Sequence, residues 1–295
     1  MIDINGTTRV CGLIGNPVGH SISPVIHNSL AQLMDMNMVY TTFKVEKGDV
    51  VTAVNGAYAL NILGLNVTVP HKQAVMESLV DIDPLAKAIG AVNTLVRTDK
   101  GYKGYNTDIL GLERELIDEG VVLLGSRCVI LGAGGAARAI AFLCAKSGAK
   151  EIYMLNRTKE KAYDIAKAVN DYFGKECIKP MLISEYDKLE ADDYVVIQTT
   201  SVGLYPNVDD VVIDDEAFYK KVKVGVDIIY NPSETRFMKM CKNAGKPACN
   251  GLKMLLYQGV AAYELWNDVS VTKEQADKVY NLSLIHISEP TRHAQ

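Results

Sequence analysis

Apolar positions in this chain follow two rhythms. Short runs rich in Val, Ile, Tyr and Thr alternate with longer stretches whose apolar residues recur every three or four positions. RVCGLIG (Arg9–Gly15) is an apolar strand that ends in the turn signal Gly-Asn-Pro. A helical pattern opens at Pro24 and runs through Met36, with Ser23 placed as its N-cap and Pro at the first helical position. Residues 39–45 (VYTTFKV) and 63–69 (LGLNVTV) read as the second and third strands, and Pro70 opens another helix. Residues 91–96 and 102–106 form a hairpin around Asp99-Lys100-Gly101. This alternation predicts a mostly parallel, helix-covered sheet.

A second unit of the same kind begins near Thr107. Residues 108–120 are helical by period, and Arg127–Leu131 is a buried strand running into Gly132-Ala133-Gly134-Gly135-Ala136-Ala137. A helix of small residues continues to Gly148, and strands follow at 151–155, 194–199 and 224–229. That order suits a sheet wound for nucleotides. From Gly251 a helical pattern runs to Trp266, and these last helices are expected to return to the first domain. The plan is α/β with two domains: residues 1–106 plus 252–282, and a Rossmann-like unit of residues 107–251. Residues 283–295 (SLIHISEPTRHAQ) break the preceding pattern. They read as a translated cloning or sequencing-adapter sequence fused to a truncated gene. This non-native tail, with His286 and His293, is set aside from the fold.

Composition narrows the function classes. Hydrophobic residues make up 48% and charged ones 22%, ordinary for a globular protein. A net charge of -4 without a cationic cluster gives nucleic acid no footing. No apolar run reaches the roughly 18 residues of a membrane span, and MIDINGTTRV is not a signal peptide. Six scattered cysteines include no CxxC pair, so no metal site is expected and the thiols read as reduced, in a cytoplasmic protein.

The glycines after Leu131 serve three purposes. Gly132 permits a tight turn, Gly134 lets backbone approach a pyrophosphate, and Ala137 allows close helix–sheet packing. With Ala133, Gly135 and Ala136 they open a helix whose free N–H groups and dipole favour phosphate. A bare GxGxxA could be only a tight turn. Between an apolar strand and a helix, it has the setting that dinucleotide binding requires. The next strand ends in Asn156-Arg157-Thr158-Lys159, where an NAD site places Asp or Glu. A carboxylate there would repel a 2′-phosphate by roughly 4 kcal/mol at about 4 Å and an effective dielectric near 20. Arg157 can instead clamp that phosphate through paired N–H groups. The expected cofactor is therefore NADP, although Arg157 and Lys159 could also be ordinary surface charges.

Short polar side chains crowd the strand ends of the first domain: Ser21 and Ser23 in GNPVGHSISP, Asn66, Thr68 and Lys72 in NVTVPHK, Asn93 and Thr94 in GAVNT, Asn106 and Asp108 in GYNTD. Strand alternation puts Asn66 and Thr68 on one face. Lys72 falls in the first turn of the Pro70 helix, where the dipole disfavours a cation. With GAGGAARA, NRT, TTSVG, DIIYNP and GLKMLLYQG, these motifs resemble the shikimate dehydrogenase family in order and spacing, over nearly all of residues 9–266.

The resemblance implies reversible, NADPH-dependent reduction of 3-dehydroshikimate to shikimate, on the route to chorismate and the aromatic amino acids. It also implies a cleft between a substrate domain and the NADP domain. Lys72 and Asp108 are implied as the catalytic pair, although Asp108 could also cap the helix after it. Ser21 and Ser23 are implied at the substrate carboxylate with Tyr230 nearby, and Asn66, Thr68, Asn93 and Gln258 at ring hydroxyls. Gly251 and Met254 are implied at the nicotinamide, with Thr200, Ser201 and Gly203 in a loop close to the cofactor. Asp227 is read as structural, and His20 and His71 as scaffold. The partner is a small molecule, and the protein is a monomer or homodimer. Two alternatives stay open: a quinate/shikimate dehydrogenase using NAD or NADP, and a non-catalytic NADPH-binding sensor on the same fold.

Overall fold

A computed structural model describes residues 4–288, with side chains as far as Ile285. The chain gathers into two compact units, Met1–Gly111 with Leu256–Gln295, and Leu112–Leu255.

In the first unit, β1 (Arg9–Gly15) leads to α1 (Ser23–Leu33), and β2 (Met38–Lys44) to α2 (Val50–Ala59) and β3 (Gly64–Val67). A short β4 (Asp81–Ile82) and α3 (Pro84–Ile89) precede the hairpin of β5 (Thr94–Thr98) and β6 (Gly101–Tyr105). The strands pair in the order β2-β1-β3-β5-β6-β4. β1 is parallel to β2 and β3, whereas β5 is antiparallel to β3 and β6, so one reversed strand makes the sheet mixed. Ile14, Val54, Leu65, Val67, Val75, Leu95 and Tyr102 form its buried core. Each large aliphatic side chain buried there contributes about 1.5–3 kcal/mol.

Two local expectations fail. Ser23 is the first helical residue of α1 rather than its cap; the cap is Ile22, which makes no side-chain bond. The helix also stops at Leu33, because Asp35 turns left-handed (φ 50°) and the Met36 N–H closes back on the Ala31 carbonyl at 2.8 Å. Nor does Pro70 open an α-helix. The chain turns there, with the His71 N–H on the Thr68 carbonyl at 2.9 Å, and only a 3-10 helix forms, at Ala74–Ser78. Lys72 therefore lies in an irregular turn, without the expected helix dipole beneath it.

α4 (Thr107–Asp118) carries the chain from the first unit into the second. There follow β7 (Arg127–Leu131), α5 (Gly135–Lys146), β8 (Glu151–Asn156), α6 (Lys159–Phe173) and β9 (Ile178–Leu182). Next come β10 (Tyr194–Gln198), α7 (Glu216–Lys220), β11 (Val222–Asp227), α8 (Arg236–Asn243) and β12 (Ala248–Cys249). All six strands are parallel, in the order β12-β11-β10-β7-β8-β9. Strand order reverses between β7 and β10, the switch point of a doubly wound sheet. Val129, Leu131, Val196, Phe218 and Phe237 lie in the buried core on one side of this sheet.

α9 (Leu252–Asn267) returns the chain to the first unit, and α10 (Lys273–Ser288) completes it. The Trp266 Nε1–H bonds the Leu95 carbonyl at 2.9 Å, and its indole lies against Gly64, where a Cβ would overlap it. α10 packs on α1 through a buried face that includes Ala276, Val279 and Ser283. The helix thus continues five residues beyond Ser283, into the segment expected to lie outside the fold; its spacing keeps Ser283 on the buried face while Leu282, Leu284 and Ile285 are exposed. The side chain of His286, and all of His293, lie outside the described residues. The compact units divide within α4 and α9, and the first turn of α4 is bonded to Lys72 after β3 and to Asn93 before β5. Among the described residues no helix is long and apolar enough to cross a membrane.

Candidate active site

The turn after β3 and the first turn of α4 bring together the two residues expected to move protons. Lys72 Nζ lies 2.7 Å from Asp108 Oδ2, with the side chains 31% and 16% exposed. A half-open pair of this kind contributes no more than about 1 kcal/mol to stability. Its worth lies in keeping an ammonium aimed where a ligand can reach. Asp108 does not cap α4. That role falls to Asn106, whose Oδ1 accepts from the Asp108 N–H at 3.1 Å, so the Asp108 carboxylate is not spent on capping.

The second oxygen of Asp108 accepts from Asn93 Nδ2 at 2.9 Å. Asn93 is 2% exposed, and its Oδ1 accepts from the Thr107 N–H at 2.7 Å and the Thr94 hydroxyl at 3.0 Å. These bonds fix which end of the amide faces the carboxylate. Asn66, expected at a ring hydroxyl, lies beside Asn93 in the same cluster. It pairs with Thr94 across β3 and β5, and it is 4% exposed. Its Nδ2 donates to Thr94 Oγ1 at 3.1 Å and to the Asn93 carbonyl at 3.3 Å, while its Oδ1 accepts from the Tyr40 hydroxyl at 2.9 Å. Both amide hydrogens are committed inside the protein. Thr68, on the same face, is half-buried.

Ser21 Oγ accepts from the Ser23 N–H at 3.2 Å and pairs with Ser23 Oγ at 3.1 Å, so two hydroxyls sit together at the start of α1. His20 is exposed. His71 is buried with Nε2 2.8 Å from the Val45 carbonyl, a scaffold contact. Gln258 lies half-buried on α9.

In the second unit, Gly132 follows β7 with φ +109°, and a Cβ there would stand 2.7 Å from Thr199 Oγ1. Glycine is needed at this point for backbone angle and for space. Gly134 caps α5 without a side-chain bond, and a Cβ on Gly134 or Gly135 would meet nothing within 4 Å. Ala133 and Ala136 are half-buried, and Ala137 is buried against the sheet. The open turn in front of a helix N-terminus fits a pyrophosphate. At the end of β8, Asn156 Nδ2 donates to the Thr158 carbonyl at 2.8 Å, and Arg157, Thr158 and Lys159 are exposed. Lys159 Nζ is 3.9 Å from Glu185, while Arg157 forms no ion pair among the described residues. Thr200 Oγ1 accepts from the Val202 N–H at 3.1 Å.

Asp227 is buried, accepts from the Thr235 hydroxyl at 2.6 Å and the Ile229 N–H at 3.0 Å, and is pushed up to about 6 by burial. It organises the loop into α8, as expected of a structural residue. Tyr230 is half-buried, and burial raises its hydroxyl. A Cβ on Gly251 would collide with the Ile228 carbonyl, so close backbone packing fixes that residue. Met254 stands half-buried in the first turn of α9.

Tyr40 and Thr107 were not legible as site residues, since they act through long-range bonds that no local motif encodes, whereas Thr94 stood among the polar residues of GAVNT. Glu115 on α4 carried no signal either. It is 1% exposed, no side chain donates a hydrogen bond to its oxygens, and burial, reinforced by Glu119, pushes it up to about 8. Lys253 nearby bridges Asp118 at 3.1 Å and Glu119 at 2.5 Å.

The family model for the shikimate dehydrogenase substrate binding domain matches residues 13–95, and the model for shikimate / quinate 5-dehydrogenase matches residues 116–237. A shikimate dehydrogenase (NADP(+)) of Desulforamulus reducens is 43% identical over 265 residues, 89% of this chain and 91% of that protein. A shikimate dehydrogenase solved in complex with NADP+ aligns with a TM-score of 0.88 at 38% identity, covering 97% of this chain and 98% of that one. The shikimate 5-dehydrogenase of Listeria monocytogenes, solved with shikimate and NAD, gives 0.87 at 30% identity over 95% and 97%. This chain belongs to the shikimate dehydrogenase family.

Proposed function

We propose that this protein catalyses the reversible NADPH-dependent reduction of 3-dehydroshikimate to shikimate, on the route to the aromatic amino acids. The observation that carries the reading is the Lys72–Asp108 pair at 2.7 Å, with Asn93 holding the far carboxylate oxygen at 2.9 Å. Reducing a ketone builds negative charge on its oxygen, which needs a proton donor within hydrogen-bond reach. Lys72 gives that proton from Nζ and reclaims it in the oxidative direction. Asp108 keeps the ammonium aimed and accepts from a ring hydroxyl of the substrate.

Ser21 and Ser23 bind the substrate carboxylate, with Tyr230 nearby, while Thr68, Asn93 and Gln258 meet ring hydroxyls. The turn of Gly132, Ala133, Gly134, Gly135 and Ala136 holds a pyrophosphate at the start of α5. Asn156, Arg157, Thr158 and Lys159 receive the 2′-phosphate and adenosine, and Thr200, Gly251 and Met254 flank the nicotinamide. Bound there, NADPH supplies the hydride. In this reading residues 1–106 with 252–282 form the substrate domain and 107–251 the NADP domain. The protein works in the cytoplasm on small molecules, without nucleic acid, as a monomer or a homodimer. The net charge of -4 supports the exclusion of nucleic acid.

The test crosses 3-dehydroshikimate, shikimate and quinate with both nicotinamide cofactors. Fast turnover of the first two with the NADP couple, and weak turnover of quinate, is expected. A higher specificity constant for quinate with NAD would make the protein a quinate dehydrogenase. Tight NADPH binding without any turnover would make it a sensor.

A further inference from the structure

Behind the Lys72–Asp108 pair lies an unbroken line of buried hydrogen bonds that ends at Tyr40 on β2. The Tyr40 hydroxyl donates to Asn66 Oδ1 at 2.9 Å, Asn66 Nδ2 donates to Thr94 Oγ1 at 3.1 Å, and Thr94 Oγ1 donates to Asn93 Oδ1 at 3.0 Å. Asn93 Nδ2 then donates to Asp108 at 2.9 Å. We propose that Tyr40 and Asn66 are positioning residues for the reaction, setting the sense of the Asn93 amide and through it the Asp108 carboxylate. This inference rests on the proposed function, because it assigns Asp108 the task of aiming Lys72.

Direction along the line carries the argument. An amide can turn over, exchanging its donor and acceptor ends. Asn66 cannot do so cheaply, because its Nδ2 also faces the Asn93 carbonyl at 3.3 Å, which only accepts, while Tyr40 offers a proton to its oxygen. Thr94 has one hydroxyl proton. With Asn66 on its acceptor side, that proton faces Asn93 Oδ1 at 3.0 Å and Thr107 Oγ1 at 3.0 Å, and the Thr107 hydroxyl also reaches Asn93 Oδ1, at 3.2 Å, so by either route a hydroxyl proton meets the Asn93 oxygen. Asn93 must then present its NH2 to Asp108; the reverse orientation would set an oxygen against a carboxylate.

The Tyr40 ring is itself held. His27 stacks on it at 4.1 Å and 14°, and Trp266 lies 6.0 Å away on α9. Ser23, proposed at the substrate carboxylate, lies beside the same hydroxyl. The Thr107 N–H also holds Asn93, at 2.7 Å, so losing the Tyr40 proton loosens the arrangement without dismantling it.

The experiment compares Tyr40→Phe, Thr94→Val, Asn93→Ala and Tyr40→Phe/Asn93→Ala with wild type, by steady-state kinetics with 3-dehydroshikimate and NADPH and by thermal melting. Wild-type turnover checks the proposed function; if it is absent, that reading fails first. With wild type active, Tyr40→Phe and Thr94→Val should each lower kcat by about 3- to 10-fold, the effect of one hydrogen bond, with KM for NADPH unchanged. In the Asn93→Ala background, Tyr40→Phe should lower kcat no further. Unchanged kcat in both single variants would overturn the inference. So would a Tyr40→Phe loss that persists in full without Asn93, because the two bonds would then act independently. Should Tyr40→Phe fail to fold, Thr94→Val interrupts the same line and decides alone.

Discussion

The two units hold their polar groups in opposite ways. Around Lys72 and Asp108, the carboxylate, both ends of the Asn93 amide and both ends of Asn66 are engaged by other protein atoms. Around the turn after β7, Gly134 and Gly135 face open space, and Arg157, Thr158 and Lys159 are exposed. The difference follows from the tasks proposed for them. A group that hands over a proton must already be aimed, since reorganisation at the moment of reaction would raise the barrier. A group that grips a phosphate can wait, because the ligand brings the acceptors that order it.

Three substitutions probe this contrast. The largest effect is expected at the aimed end. Lys72→Ala should lower kcat by about 10²–10⁴-fold while KM for 3-dehydroshikimate moves little, measured from initial rates at saturating NADPH. Undiminished turnover would remove Lys72 from the chemistry. At the waiting end, Arg157→Ala should weaken NADPH binding by about 1.5–3 kcal/mol and leave NADH nearly untouched, by titration calorimetry with both cofactors. Equal losses would show that Arg157 does not read the 2′-phosphate.

The third substitution concerns a buried carboxyl of the second unit to which no side chain donates a hydrogen bond. Glu115 is held protonated up to about 8 by burial, against an ordinary value of 4.5. Between those values the folded protein keeps a proton that the unfolded chain has lost, so this group costs stability as pH rises through the window. Asp118, Glu119 and Lys253 surround it in either variant. Glu115→Gln should therefore stabilise the protein relative to wild type much more near pH 8 than near pH 5, by urea midpoints. An equal gap at both values would mean Glu115 is not held protonated.

Most of the architecture was readable because it rests on local signals. Arg127–Leu131 announces itself by composition, and the glycines after it by the backbone angle that Gly132 adopts. The predicted hairpin forms as β5 and β6. Local signals misled where a neighbour in space decided the outcome. Pro70 looks like a helix start, yet the chain there is tied to the first strand through the Thr68 N–H on the Ile14 carbonyl at 3.0 Å. Ser23 has the right type for a cap, but Ser21 engages both its N–H and its hydroxyl. Asn66 shows the same limit for chemistry: its motif marks it as polar and near the site, while only the pairing with Thr94 and the bond from Tyr40 reveal where its amide is spent. The segment from Ser283 on breaks the preceding pattern in sequence, and α10 runs into it as far as Ser288.

The chain has one tryptophan, and it belongs to the first unit, where its indole stands 5.1 Å from His27 and is nearly sealed from solvent. Emission excited selectively from that indole is consequently an optical signal from one half of the molecule alone, whereas far-ultraviolet dichroism averages over both. Recording the two during denaturation would reveal whether the halves come apart together or in sequence.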